Sequence, residues 1–384
     1  TATVQNNLYK HQWDLVHDPD FVGWFEGDDE EAELVTGPTV DSLKLYNGST
    51  EIKGASYQLI SAVPQMPDIK IKPSKKDYTG SEEIEVRIKV IDQRMNSSNV
   101  RVRNDSTFYP SDGWKKVKIN TEWDVDFGTE MRGGKAIIYF KSGGVTKSVE
   151  FYIRGTNPTE DQVRNYLTTQ NYTEWYLIKI IRHESVSVVL GQPMRQFRIG
   201  TNYNQTWLWS SPGCPTLGAP RGFGLMQLDN FGAGVYPTAD QVWNWKANID
   251  RGVEYVRTEK KNWATNRMNN YKRVGGPIDN WNKKHQDNLV NDSIFIASGE
   301  GQGTKVLTIQ EGGAAINETF AMTPQGTQKS IIDALTLRAY NGGAYCTLVV
   351  PSEDSKEKPY WKVNRVNTLN PPFNYVARIC ETNP

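Results

Sequence analysis

The alternation of hydrophobic and polar positions changes its period near residue 156. From Asp68 to Gly155, segments such as EEIEVRIKVID and TKSVEFYIRG alternate with period two, which is typical of half-buried β-strands. A Gly143-Gly144 turn joins KAIIYFKS to TKSVEFYIRG, the pattern of a β-hairpin. About six or seven short strands in this stretch predict a β-sandwich of immunoglobulin-like architecture over residues 65–155.

The first 64 residues also predict short strands, because apolar pieces such as FVGWF and SYQLISAV alternate with turn signals. We expect residues 1–64 to form an N-terminal β segment that packs on a neighbouring domain, with the boundary at Pro64–Pro67. Residues 65–155 contain no cluster of chemically reactive side chains. We interpret them as a spacer or a binding module.

Residues 156–384 have a mainly helical pattern, which makes the whole chain a multidomain protein, all-β and then α-helical. Asn157 is predicted as the N-cap of the first helix, with Pro158 as its first residue. Thr238 and Gln241 form a predicted capping box. The predicted helices cover residues 158–169, 172–188, 239–264 with a break near Lys246, and 328–340. Long polar loops separate them, with a small hairpin predicted over residues 295–310.

One predicted helix carries a carboxylate on its apolar face. The stripe at helical spacing consists of Leu177, Ile180, Ile181, Glu184 and Val188. Lys179 and Arg182 are expected on the opposite, polar face. Burial and the negative C-terminal end of the helix both disfavour ionisation, so we expect a raised pKa for Glu184, as a general acid requires. The alternatives are that a neighbouring arginine such as Arg182 pairs with Glu184, or that the helix is phased differently.

Composition and charge exclude several classes of partner. Lysine plus arginine equals aspartate plus glutamate at 44 each, so no basic field indicates nucleic acid binding. No apolar run approaches the roughly 20 residues that span a bilayer, and no signal pattern is visible at the start of the chain. The chain also lacks an initiating Met, which indicates a processed chain or a fragment. An acidic cluster at Glu26–Glu33 is interpreted as a solvated loop or a contact surface.

The three cysteines are too few for a disulfide scaffold and match no metal spacing. Cys346 and Cys380 could pair if the protein works in an oxidising compartment. The four histidines are scattered, so no metal site and no cofactor are predicted.

Several short motifs after Gly155 together resemble the goose-type lysozyme and soluble lytic transglycosylase superfamily, which cleaves the glycan strands of peptidoglycan. In order along the chain they are Glu184-Ser185, GFGLMQLD at 222–229, residues 248–256, AYNGG at 339–343 and a weaker one at 374–376. The resemblance covers about residues 160–384 and says nothing of residues 1–155.

The resemblance implies a lysozyme-like helical fold in which Glu184 protonates the glycosidic oxygen. It assigns supporting roles as follows: Met226 and Gln227 line the sugar pocket, Tyr340 hydrogen-bonds Glu184, Asn341 lies at the cleft wall, Tyr375 closes the site, and Ser185 orients substrate or water. Taken as residues alone, Leu225, Met226 and Leu228 are better explained as plain core.

The attacking group depends on a second carboxylate. Asp229 lies where the goose-type motif has an acidic residue and is the candidate base. The family's other Asp, eleven positions earlier, corresponds here to Gly218, so its two-Asp water site is incomplete. Glu174 is about 15 Å from Glu184 along a helix, too far for a direct pair. A hydrolase needs a base that activates water, whereas in a lytic transglycosylase the sugar's own 6-hydroxyl attacks.

The expected function is therefore a muramidase that hydrolyses the β-1,4 bond between N-acetylmuramic acid and N-acetylglucosamine. The alternatives are a lytic transglycosylase and a non-catalytic cell-wall-binding module. The substrate places the protein in the periplasm or cell wall, as an exported antibacterial toxin or a lysis protein. The expected routes are an upstream segment, a phage tail or lysis system, or a secretion machine, with an immunity or inhibitor protein as a further partner. If residues 1–155 only dock such partners, their deletion would leave cleavage intact.

Overall fold

The computed structural model describes residues 37–54, 56–95, 101–185, 194–199, 212–218, 221–229, 235–286, 304–311, 314–321, 331–341, 346–349 and 360–363, and positions 352, 354, 375 and 379. Within these residues, a β-rich N-terminal region with mostly antiparallel sheets precedes a mainly helical region. The coarse division predicted from the hydrophobic period is confirmed. The acidic cluster at 26–33 lies outside the described residues.

The N-terminal region consists of two sheets. Its strands are β1 Ser42–Asn47, β2 Thr50–Ile52, β3 Tyr57–Ile60, β4 Ile69–Ser74, β5 Glu83–Met95, β6 Arg101–Tyr109, β7 Lys115–Lys118, β8 Trp123–Asp124, β9 Gly134–Ser142 and β10 Val145–Gly155. One sheet has the order β2-β1-β4-β8, and the other has the order β3-β10-β9-β5-β6 with β7 paired to β5. Side chains from both sheets, including Ile71 of β4 and Ile138 of β9, meet in one buried core.

Residues before and after Pro64 belong to the same structural unit. β1 pairs antiparallel with β4 across this position, and β3 pairs in parallel with β10. The described part of the predicted segment 1–64 therefore completes the two sheets of the region predicted as 65–155.

The helical region contains seven α-helices and three small sheets among the described residues. The helices are α1 Glu160–Thr169, α2 Leu177–Glu184, α3 Ala239–Trp243, α4 Trp245–Tyr255, α5 Lys261–Lys272, α6 Pro277–Lys284 and α7 Ile331–Tyr340, with a π-helical turn at Val256–Lys260. The strands are β11 Leu217–Gly218, β12 Gly222–Phe223, β13 Leu228–Asp229, β14 Thr304–Glu311, β15 Ala314–Ala321, β16 Cys346–Val349 and β17 Tyr360–Val363.

The predicted start of the first helix is wrong by two residues. Thr159 is the N-cap of α1, where its hydroxyl and the Gln162 side chain form a reciprocal capping box. Asn157 instead exchanges two hydrogen bonds with the backbone of Phe197, at 2.7 and 2.9 Å. Its amide thus anchors a neighbouring segment rather than the helix.

Other helix ends follow local signals that the sequence carries. The Thr238–Gln241 capping box is confirmed, and the helix break falls at Asn244, whose side chain caps α4. Helix α6 lies outside the predicted helices, although Pro277 at its first position is a start signal. A hairpin is observed as β14–β15, so the hairpin predicted over 295–310 is placed too early in the chain: its range overlaps only β14, and residues 287–303 lie outside the described part.

Helix α2 lies at the centre of the helical core and is buried nearly all round. Leu177, Ile180 and Ile181 are each at most 1% exposed, as the stripe predicts, although the helix predicted from residue 172 begins at Leu177 and Val188 lies outside the described residues. Lys179 and Arg182 are also buried, so the predicted polar face is wrong. The reason is that the helix is covered on both sides: the Arg182 guanidinium is paired with Glu160 of α1.

The β-rich and helical regions share buried surface. Phe197, Phe223, Val242 and Trp243 of the helical region belong to the core of the sheets, not to the helical core. Each would expose a large apolar side chain if residues 1–155 were removed. The two regions are therefore not separable in the way expected from sequence.

Candidate active site

Glu184 is the last residue of α2, and Ser185 caps the helix behind it. The Glu184 side chain is half-buried, and its Oε1 accepts a 2.7 Å hydrogen bond from the Tyr375 hydroxyl. Burial raises the pKa of Glu184 from 4.5 to about 7, while the Tyr375 hydrogen bond acts in the opposite direction. A carboxyl group with this pKa is populated in both protonation states near neutral pH, as a general acid must be.

No charged group in the described part of the chain contributes to the pKa shift of Glu184. Arg182, the alternative partner considered from sequence, donates to Glu160 instead. Glu174 forms two hydrogen bonds with Arg257 and so belongs to a separate ion pair. Glu184 is consequently set apart from the ion pairs of Arg182 on the same helix and of Glu174 just before it.

Two tyrosines form the wall beside Glu184. Tyr375 is fully buried, and its ring lies edge-on to His183 and stacked near Tyr340, with centroids 5.2 and 6.4 Å away. The Tyr340 hydroxyl donates a hydrogen bond to the Met226 carbonyl. The hydrogen bond to Glu184 that the resemblance assigned to Tyr340 therefore comes from Tyr375. Burial and the proximity of Glu184 and Tyr255 raise the pKa of Tyr340, so it remains a neutral donor.

Strands β12 and β13 are joined by a tight turn over Gly224–Gln227. Gly224 has φ +75° and Gln227 has φ +45°, a left-handed conformation that is uncommon for a residue other than glycine. Such backbone strain is concentrated at functional sites, where the surroundings hold it in place.

Two buried amides hold this turn. Gln196 accepts a hydrogen bond from the Leu225 amide at 2.9 Å and donates to the Val242 carbonyl. Asn248 accepts from the Met226 amide at 2.9 Å and donates to the Phe223 carbonyl. Asn248 lies in a predicted helix and in one of the predicted motifs, whereas Gln196 is in neither, because nothing in its local sequence marks a side chain that satisfies a distant turn.

Two adjacent residues of the turn, Met226 and Gln227, differ in the exposure of their side chains. Met226 is 1% exposed and packs against Gly252 in α4, so its side chain is core and its backbone makes the contacts to Tyr340 and Asn248. Gln227 is half-buried, and its amide nitrogen donates to the Gly224 carbonyl at 2.7 Å. Of the two predicted pocket residues, Gln227 is the one with a partly exposed side chain, and its amide lies back against Gly218 and Gly224.

The remaining predicted residues have simpler settings. Asp229 is half-buried in β13, opposite Gly222 of β12. Ser185 is buried, with its hydroxyl 3.5 Å from the Arg182 carbonyl, so it faces its own helix rather than a cleft. Asn341 directly follows α7 and donates its backbone amide to Leu337. Cys380 and the Cys346 side chain lie outside the described structure, so their pairing stays a prediction.

Two further observations concern the described residues alone. They contain no group of three His, Cys, Asp or Glu side chains that could hold a metal ion. None of their helices is both long enough and apolar enough to cross a membrane.

Comparisons of the chain with models of known protein families, with curated proteins and with solved structures give no match. The function is therefore inferred from the residues and their geometry. They place a carboxyl group with a pKa near neutrality beside two tyrosines, one of which donates a hydrogen bond to the backbone of the strained turn that carries Gln227. This arrangement can deliver a proton to a leaving group while neighbouring polar groups bind the substrate.

Proposed function

We propose that the protein is a muramidase that hydrolyses the β-1,4 bond between N-acetylmuramic acid and N-acetylglucosamine in peptidoglycan. The observation that carries the proposal is Glu184, half-buried with its pKa raised to about 7 and held by Tyr375. The motif order that resembles goose-type lysozymes points to the same residue. Raised pKa values at a partly buried carboxyl are typical of glycosidase acids.

In the proposed mechanism, protonated Glu184 donates its proton to the glycosidic oxygen as the bond to the sugar breaks. Positive charge then develops on the sugar ring, and Tyr375 keeps the carboxyl oriented while it becomes negative. Gln227 binds the sugar from the β12–β13 turn. Water attacks the ring with Asp229 as the base, and the proton removed from water balances the one given to the leaving group.

A second reaction is favoured by the environment of Gly218. A Cβ atom at this position would lie 2.0 Å from Oε1 of Gln227, so the Gln227 amide fills the space of a side chain there. Gln227 thus occupies the space that a further Asp side chain would take at this position. Lytic transglycosylation, in which the sugar's 6-hydroxyl attacks and a 1,6-anhydro ring forms, needs Glu184 but no such carboxylate.

We also propose the finer fold assignments: a lysozyme-like fold for the helical region and an immunoglobulin-like one for the β-sandwich. The first is supported by the position of Glu184 at the end of a buried central helix. The second is supported by two sheets around one core. Because the substrate lies outside the cytoplasmic membrane, we propose export to the periplasm or cell wall through a secretion or phage-tail machine, with a neutralising immunity or inhibitor protein in the producing cell.

Mass spectrometry of peptidoglycan digested by the purified protein tests the reaction. Hydrolysis adds one water to each cleaved bond and leaves a reducing muramic acid end. Transglycosylation leaves 1,6-anhydro-muramic ends and adds no water. We expect reducing ends; anhydro ends on every product would refute the hydrolase and support the second reaction. Intact strands with the wild-type protein would refute both.

A further inference from the structure

The β-rich region meets the helical region at a buried ion cluster. Asp92 of β5 lies 3.0 Å from Arg94 Nε and 3.1 Å from Arg103 Nε, and all three side chains are less than 10% exposed. Asp92 also accepts a 2.9 Å hydrogen bond from the indole nitrogen of Trp243, at the end of α3. Asp105 pairs with the other side of Arg103. Buried charges this closely paired fix the relative position of the elements that carry them.

Arg103 extends this cluster to the strands that carry the candidate pocket. Its guanidinium lies 5.9 Å from the ring centre of Phe223 in β12, and its Nη1 donates a 2.9 Å hydrogen bond to the Pro237 carbonyl. Phe223 pairs with Leu228 of β13, and the turn that presents Gln227 joins these two residues. Arg103 therefore touches the base of the turn from the β-rich region.

The contacts continue from the turn to the candidate acid. The Met226 carbonyl accepts a hydrogen bond from the Tyr340 hydroxyl. The Tyr340 ring stacks near the ring of Tyr375, and the Tyr375 hydroxyl donates a hydrogen bond to Glu184. Glu184 itself is fixed by the helical core through α2. Leu225, Met226 and Leu228 of the turn belong to the same helical core, whereas Phe223 at its base is seated in the core of the sheets, beside Arg103.

We propose that the β-rich region is a structural part of the active site, with Arg103 as a positioning residue for the β12–β13 turn. This inference rests on the proposed function. Arg103 acts through Phe223 and touches no substrate, so its loss should loosen the turn and weaken substrate binding more than it slows the acid step. A spacer or docking module would have no such effect.

The test compares Arg103→Met with Arg103→Lys and a control, all in the full chain. Asp92 keeps Arg94 and Trp243 as partners in Arg103→Met, so no buried charge is left unpaired. Arg103→Lys keeps the charge but cannot span Asp92, Pro237 and Phe223 together, and it serves if the Met variant does not fold. The control, Ile138→Val, removes a methyl group in the middle of β9, where Ile88 and Val149 are its strand neighbours.

Two readouts separate the positioning role from the catalytic one. Hydrogen exchange of a peptide covering 221–229 should accelerate about ten-fold in the Arg103 variants and not in the control. With soluble glycan fragments, KM should rise about ten-fold while kcat falls less. Exchange and KM equal to those of the control in both Arg103 variants would overturn the inference. If the wild-type protein cleaves no glycan, the proposed function fails, and exchange alone still decides whether Arg103 holds the turn.

Discussion

The Tyr375 hydroxyl donates a 2.7 Å hydrogen bond to Glu184 Oε1, joining residues 191 positions apart in the chain. A donor at this place stabilises the charged carboxylate and so opposes the effect of burial on its pKa. The pKa of Glu184 therefore reflects two competing influences, and burial is the larger.

The variant Tyr375→Phe should move the pKa of Glu184 further upward, because it removes the influence that lowers it and keeps the ring. A general acid works when protonated, so the falling alkaline limb of kcat/KM against pH should shift to higher pH. The rate below that limb should drop about ten-fold, since the carboxyl is less well placed. An alkaline limb that stays in place would mean that this hydrogen bond does not tune the acid.

Glu184 should make the folded protein less stable as the pH rises. Its pKa is raised from 4.5 to about 7 on folding, so the native state binds the proton more tightly than the unfolded state does. The free energy of unfolding has no penalty from Glu184 below pH 4.5, declines between pH 4.5 and 7, and stays lowered above pH 7. The full penalty is roughly 3 kcal/mol.

Glu184→Gln should abolish that penalty while keeping an acceptor for Tyr375. Chemical denaturation at pH 5 and pH 8 should therefore show the variant to be more stable than the wild type at pH 8, with a smaller difference at pH 5. The matched control is Glu254→Gln, at a surface ion pair with Arg251, which should change stability by less than about 0.5 kcal/mol at both pH values. Equal stability of wild type and Glu184→Gln at pH 8 would contradict a raised pKa.

The sequence predicts the fold where its pattern is set by neighbouring residues. Period-two alternation correctly predicts β9 and β10, and the Thr238–Gln241 box correctly predicts a helix start. Contacts between distant segments are not encoded in such patterns. Arg182 has the charge of a surface residue, and its burial follows from its pairing with Glu160 on another helix.

The same limit applies to the candidate site. The stripe on α2 identifies Glu184, because one carboxylate among buried aliphatic residues is a local anomaly. Which tyrosine reaches it depends on how Tyr340 of α7 and Tyr375 stack on each other, and the resemblance led to Tyr340 instead. Gln196 has no local signal, since its two hydrogen bonds reach residues 29 and 46 positions away.

Gly218→Ala should disturb Gln227 without unfolding the protein. The added Cβ would meet Oε1 of Gln227 at 2.0 Å, and that atom is the end of a flexible side chain that can move. We expect KM for glycan to rise several-fold with little change in thermal stability.

A double-mutant cycle with Gln227→Ala isolates this effect. If Gly218→Ala acts through the Gln227 amide, it should have almost no effect on KM in the Gln227→Ala background. Additive effects of the two substitutions would show that Gly218 acts by another route.

Gly224→Ala should destabilise the protein far more than Gly275→Ala. Both glycines have a left-handed backbone, with φ +75° and +77°, so both variants bear the same backbone strain. A Cβ at Gly224 would lie 2.5–2.6 Å from the Gln196 and Asn248 amides, whereas one at Gly275 meets no atom within 4 Å. The difference in the free energy of unfolding should exceed about 1 kcal/mol. An equal loss in the free energy of unfolding for both variants would show that the Gln196 and Asn248 amides do not fix the turn.

The most direct test of Glu184 as the catalytic acid is the cleavage of purified peptidoglycan by Glu184→Gln. The matched control is Glu174→Gln, which alters a carboxylate that lies three residues before the same helix and is paired with Arg257. We expect the rate of release of glycan fragments to fall at least about 1000-fold in Glu184→Gln and to change less than ten-fold in the folded control. Wild-type cleavage by a folded Glu184→Gln protein would contradict the assignment.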